Sequence, residues 1–294
     1  MKNLAYLTAF VIGLLLLACS GRQSLPVDRY YDYDRNFPLE DSVRVEVETD
    51  QSTMYSVSYR SVHESIVAGL LTIPKKSKQP LPVIIFLHGI GDHKQKDYME
   101  AGHKFMVDSG YAVLRIDIAN HGDRKIHKYK YDMVTGYRYW TRDIVAQTVF
   151  DLRRGIDFLE TRPEIDSSRI GFYGISLGGI IGTVFCAVDE RVKVPVITLA
   201  GGGLHLAFKF KAFAEETQVY LSIIDPINFV DKIAPRPLLM LNADKDEVVP
   251  PITSKMMYNK AGEPKHIVWY PTKHRRIPID QAFPEGIRWF NKYL

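Results

Sequence analysis

Apolar and polar residues alternate along the chain between about Asp41 and Pro74, in "VRVEVE", "MYSVSYRS" and "SIVAGLLTIP". A period of two belongs to strands with one buried face, so this stretch predicts an antiparallel start to a sheet. After Pro82 the apolar runs become continuous, in "VIIFLHG", "YAVLRID", "RIGFYG", "VKVPVITLA", "RPLLMLNA" and "KHIVWYP". Runs of that kind suit strands covered on both faces. Helix-length segments separate them. One is polar, Lys94 to Ser109; another carries Val145, Val149, Leu152, Ile156 and Leu159 at spacings of three and four and stops at Pro163. Further helices are predicted from Ser176, after Pro251, and from near Phe283 to Tyr293. Strands alternating with helices imply an α/β fold with a mostly parallel sheet and right-handed crossovers.

The N-terminal pattern is different. Residues 1–19, "MKNLAYLTAFVIGLLLLAC", have a single Lys2, an apolar stretch from Leu4 to Leu17 and a small residue before Cys19. This reads as an export signal. The run "LLAC" resembles the lipobox of bacterial lipoproteins, which implies cleavage after residue 18, acylation of Cys19 and a membrane anchor made stable by more than one acyl chain. The alternative is an uncleaved transmembrane anchor. Ser20, rather than aspartate, after the cysteine fits an outer-membrane destination, and either reading places the chain in the cell envelope. Residues 20–41 are polar and aromatic without a period, as in a tether, unless their tyrosines pack on the domain. The expected division is therefore a signal peptide (1–18), a lipidated cysteine and tether (19–41) and a catalytic-size domain (42–294) with a short cap segment near 201–231.

Composition adds two exclusions. With 38 basic and 34 acidic residues spread along the chain, the charge gives no reason to expect a nucleic-acid partner. With Cys19 lipidated, Cys186 is the remaining cysteine, and one thiol closes no intrachain disulfide.

The candidate chemistry starts at "RIGFYGISLGGIIG". Ser176 falls between a buried strand and a helix, flanked two residues away by Gly174 and Gly178. A nucleophile on such a turn needs a strained backbone to aim its oxygen outward and small neighbours to let the strands approach. The helix beginning after it directs free N–H groups, starting with that of Leu177, at any oxyanion formed there. Partners follow in the order acid, then base. Asp244 and Asp246 both follow the strand "LLMLNA", with Asp246 preferred; His266 and His274 flank the last strand, and only His274 comes after its end, on the sheet edge that carries Ser176. The loop "FLHGIGDHK" offers the Ile90 N–H as the second oxyanion donor. His88 and His121 read as turn stabilisers, and the other histidines show no paired metal-ligand spacing, so no metal is expected.

From about Ser65 to Leu294 the chain resembles the α/β-hydrolases, within them the dienelactone-hydrolase-like and prolyl-oligopeptidase-like esterase branch. The residues that carry the resemblance are "FLHGIGDHK", "YAVLRIDIANHGDR", "DLRRGIDFLETRPEIDSSRIGFYGISLGGI", "IAPRPLLMLNADKDEVVP" and "YPTKHR". It implies Ser176 as nucleophile, Asp246 as acid, His274 as base, Ile90 and Leu177 as oxyanion donors, a small-molecule ester substrate and no cofactor. Two departures stand out. Ala243 replaces the glycine usual in G-x-x-D-x-x-V-P, and a serine replaces the nucleophilic cysteine of true dienelactone hydrolases, so lactone cleavage is not implied. Leu204, Leu206, Phe208, Phe210 and Phe213 are candidates either to line an acyl pocket or to cover the sheet. The short cap favours small or flat substrates such as short-chain esters or acetylated sugars. The alternatives to an esterase are a serine peptidase of the same branch and a non-catalytic binding lipoprotein.

Overall fold

The computed structural model describes residues 27–75, 80–126, 132, 134–136 and 138–294. The expected signal peptide and Cys19 lie outside the described residues. Among the described residues nine strands form one sheet in the order β1-β2-β3-β5-β4-β6-β7-β8-β9. β1 (Ser42–Glu48), β2 (Ser52–Arg60) and β3 (Ile66–Pro74) pair antiparallel, and β3 meets β5 (Ala112–Ile116) antiparallel. From β5 onward every pairing is parallel, through β4 (Leu81–Leu87), β6 (Ile165–Ile175), β7 (Val192–Thr198), β8 (Leu238–Ala243) and β9 (Lys265–Tyr270). The change from alternating to continuous apolar runs therefore marks the change from antiparallel to parallel pairing.

The physical reason is visible in β4. Val83, Ile85 and Leu87 face one core, while Ile84 and Phe86 face another. Helices α2 (Arg138–Glu160) and α3 (Leu177–Val188) cover the first face; α1 (Asp97–Asp108) and α6 (Ile279–Tyr293) cover the second. A strand buried on both sides has no polar face to alternate. β1 shows the opposite limit: it is the sheet edge, Val45 and Val47 are exposed, and its Arg44, Glu46 and Glu48 give the edge the charge that discourages pairing with another chain. The closing helix starts at Ile279, four residues before the expected start near Phe283, and runs through Pro284.

The described part of the expected tether, residues 27–41, is packed on the domain. Tyr31 is fully buried against Phe150 and Phe229, and its hydroxyl donates to the Ile223 carbonyl at 2.6 Å. Tyr33 donates to Asp157 at 2.8 Å and lies under the Arg153 guanidinium. Behind it the buried Arg154 binds Asp157 and the carbonyl of Phe37. Of the two expectations for this segment, the structure shows packed tyrosines from Val27 onward.

Candidate active site

Ser176 sits where β6 ends and α3 begins. Its backbone is at φ 54°, ψ −116°, a conformation an L-residue adopts only under constraint. The constraint is local: its N–H donates to the Thr198 carbonyl at 2.8 Å, and its carbonyl accepts from Gly179 and Ile180. The flanking glycines are steric necessities. A Cβ on Gly174 would stand 2.4 Å from the Gly178 carbonyl oxygen, and one on Gly178 would stand 2.5 Å from the carbonyls of Leu87 and His88.

Three side chains from separate loops meet at this turn. The Ser176 hydroxyl is 3.0 Å from His274 Nε2, and His274 Nδ1 is 2.7 Å from Asp246 Oδ2. All three residues are nearly buried. The other carboxylate oxygen of Asp246 accepts from the N–H groups of Val248 and Val249 at 2.8 and 2.7 Å, which aims the acid at the imidazole. Glu247 accepts from the His274 N–H at 3.3 Å. Asp244 is exposed and its backbone pairs with Tyr270, so of the two acids it is Asp246 that reaches the histidine. His266 lies exposed on β9, stacked on Trp289. The N–H groups of Leu177 and Ile90 donate to no protein atom among the described residues.

Polar contacts hold the loop that carries Ile90. His88 is buried; its Nδ1–H donates to the Gly89 carbonyl at 2.7 Å and its Nε2 accepts from the Ile118 N–H at 3.0 Å. Both ring nitrogens are therefore committed in the neutral form, and burial pushes the imidazole down to about 4. Lys94 donates through both backbone and ammonium to Asp117. Burial alone would raise the Asp117 carboxyl, but the Lys94 ammonium and the N–H groups bound to it hold it below the usual carboxylate range. His121 donates to Ala119 within the following turn. Neither His88 nor His121 faces the hydroxyl of Ser176 through a hydrogen bond, in keeping with their reading as turn stabilisers.

Two lobes open from Ser176, sharing Ile90 and Val248. One, of about 440 Å³, is lined by Leu177, Ile180, Leu204, Leu206, Pro250 and Ile252. The other, of about 250 Å³, adds Asp92, Lys96, Tyr98 and Arg275 beside His274. The apolar residues of the cap divide accordingly. Leu204 and Leu206 line the larger lobe, Phe208 packs on Tyr220 in the core, and Phe210 and Phe213 point to solvent. Asp225 anchors the cap, accepting from the N–H groups of Gly203, Leu204 and Ile227. Asp92, Tyr98, Arg275 and Asp225 were not singled out from the sequence: Asp92 and Arg275 stand inside the stretches that carry the resemblance but beside the residues given roles there, and no period or motif marks Tyr98 or Asp225.

Residues 30–199, more than half of the chain, match the acetyl xylan esterase (AXE1) family. The chain belongs to the acetyl xylan esterase family. The family match begins within the packed tyrosine segment and takes in Ile90, Ser176 and Leu177, whereas Asp246 and His274 lie beyond it. Among curated relatives, the acetyl esterase Axe7A of Xylanibacter ruminicola is 24% identical over 276 residues, covering 84% of this chain and 60% of that protein. YtaP of Bacillus subtilis is 26% identical over 197 residues, 60% of this chain and 64% of that protein. The chain thus spans about three fifths of the length of these curated relatives. An acetyl xylan esterase from Paenibacillus sp. R4 shares the fold at a TM-score of 0.75 and 22% identity, over 93% of this chain and 96% of that one. Acetyl xylan esterase 1 from Thermoanaerobacterium sp. does so at 0.73 and 18%, over 90% and 92%.

Proposed function

We propose that the chain is a serine carboxylic ester hydrolase that removes acetyl and other short acyl groups through an acyl-enzyme on Ser176. The observation that carries this reading is the unbroken relay from Asp246 to His274 to the Ser176 hydroxyl at 2.7 and 3.0 Å. His274 Nε2 takes the Ser176 proton as the oxygen attacks the ester carbonyl. Asp246 holds the Nδ1–H, fixes the tautomer and stabilises the imidazolium. The Ile90 and Leu177 N–H groups receive the oxyanion, a contribution of about 3–4 kcal/mol per donor in comparable sites. His274 then protonates the leaving alcohol, and water repeats the sequence on the acyl-enzyme. The preference for acetyl rests on the family and on the activities named for its relatives.

Hydrolysis of p-nitrophenyl esters from acetate to octanoate, beside a peptide p-nitroanilide, tests the reading on wild type, Ser176→Ala and His274→Ala. Ester turnover fastest on acetate, lost in both variants by roughly a thousandfold or more, is expected. A folded wild type that cleaves no ester contradicts it, and cleavage of the anilide alone turns the assignment to a peptidase. We further read residues 1–18 as a signal peptide and Cys19 as the site of an acyl anchor in the cell envelope. Metabolic labelling of the full chain with a fatty acid, abolished by Cys19→Ala, is the expected result; labelling that persists in that variant contradicts it.

A further inference from the structure

Gly89 is the joint between Ile90 and the buried His88 in the loop that carries the proposed second oxyanion donor. The peptide unit after it carries the Gly89 carbonyl and the Ile90 N–H, which point in opposite directions because the unit is planar and trans. The His88 imidazole and, more weakly, the Asp92 N–H at 3.4 Å hold that carbonyl, so the Ile90 N–H is aimed the other way. The peptide unit before Gly89 is held independently. Its N–H donates to the Tyr98 hydroxyl at 2.8 Å, and that hydroxyl donates to Asp92 Oδ2 at 3.1 Å. A glycine left unpinned on either side samples backbone angles closed to other residues. Tyr98 also faces the cleft beside Ser176 and His274. The hydroxyl stays protonated, since burial pushes its pKa up, and so serves as acceptor and donor together.

We propose that Tyr98, oriented by Asp92, is a positioning residue of the oxyanion site: it occupies the Gly89 N–H and locks the joint, leaving the Ile90 N–H as the loop's donor to the reacting oxygen. The inference rests on the ester-hydrolase reading and adds to it a residue that touches neither the nucleophile nor the base through a hydrogen bond. Its role is felt when negative charge appears on the carbonyl oxygen, so it acts on the transition state more than on substrate binding.

The test uses the full chain as wild type, Tyr98→Phe, Asp92→Asn and Asp92→Leu, with p-nitrophenyl acetate as substrate and a trifluoromethyl ketone that adds to the serine as probe of the oxyanion site. Tyr98→Phe is expected to lower kcat about tenfold with KM within about twofold, and to weaken ketone inhibition by the same factor. Asp92→Leu lowers both in the same way, while Asp92→Asn, whose amide oxygen still accepts, stays within about threefold of wild type. A Tyr98→Phe enzyme that unfolds like wild type and keeps its kcat and ketone affinity overturns the inference, as does a loss confined to KM. If Tyr98→Phe does not fold, Asp92→Leu at its half-exposed loop position decides the matter alone. A wild type that neither cleaves the ester nor binds the ketone overturns the hydrolase reading and this inference with it; an active wild type beside unaffected variants overturns this inference alone.

Discussion

The loop from His88 to Lys96 and the cap segment from Gly201 to Asp231 both reach Ser176, but they are held by different means. Polar groups tie the first along its length: His88 to Gly89 and Ile118, Tyr98 to Gly89, and Lys94 to Asp117 and Asp123. The cap has polar ties farther apart: Asp225 fastens its base, Tyr31 reaches the Ile223 carbonyl and Arg138 pairs with Glu216, while Phe208 packs on Tyr220 and Phe210 and Phe213 are left in solvent. Hydrogen bonds are directional and packing is not, so the first arrangement fixes an N–H to within the tolerance that oxyanion binding needs, and the second shapes a volume. On the proposed reading the difference separates chemistry from selection: the loop serves the reaction at Ser176, and the cap shapes what fits beside it.

The largest break in this comparison comes from the loop's buried ion pair. Asp117→Ala leaves the Lys94 side chain, 6% exposed, with Asp123 as its remaining carboxylate and removes the acceptor of the Lys94 and Asp123 N–H groups, and is expected to cost about 3–4 kcal/mol in urea unfolding. On the cap, Asp225→Ala removes the acceptor of three N–H groups, and the same measurement is expected to show a smaller loss of about 2–3 kcal/mol. The two acids also differ in sign. Burial raises the Asp225 carboxyl above its ordinary value, whereas Asp117 is held below it. A raised carboxyl binds its proton more tightly in the folded state, so stability due to Asp225 declines as pH rises from about 4 through its raised value. A lowered carboxyl does the reverse, so stability due to Asp117 is present above about pH 4 and is lost as pH falls toward its folded value. Unfolding across acid pH should therefore show the wild-type advantage over Asp117→Asn shrinking on acidification, and the advantage over Asp225→Asn shrinking as pH rises.

Smaller effects sharpen the division. Leu206→Trp narrows the larger lobe; octanoate turnover is expected to fall at least about tenfold while acetate stays within about twofold. Equal losses on both esters would remove the cap from substrate selection. Phe210→Ser, at a fully exposed position, should leave the unfolding free energy within about 0.5 kcal/mol of wild type.

Much of the frame was legible before the structure. Continuous apolar runs revealed β4 through β8 because burial on both faces leaves few polar positions, β9 kept such a run although it is a half-buried edge strand, and Gly174 and Gly178 marked the turn because nothing larger fits there. His274 over His266 followed from strand polarity alone, since the carboxyl ends of parallel strands share an edge. What stayed hidden depends on contacts between distant polar residues. Tyr98 opens an ordinary helix, and only the fold brings its hydroxyl to Gly89. Phe208 and Phe210 are the same residue type two positions apart, yet one is packed and the other exposed, because the backbone kinks between them at Lys209 (φ 50°, ψ −118°). For Tyr31 and Tyr33 the sequence left a tether and packing on the domain both open, since their burial comes from Phe150, Phe229 and a cluster of arginines far along the chain.

The most direct test of the account is to mix the enzyme with p-nitrophenyl acetate, quench with acid during turnover, and map the acyl group by mass spectrometry. The account predicts an acetyl group on the peptide containing Ser176 in wild type and none in an inactive Ser176→Ala. Turnover that persists in Ser176→Ala, or an acetyl group carried by another side chain during wild-type turnover, would contradict it.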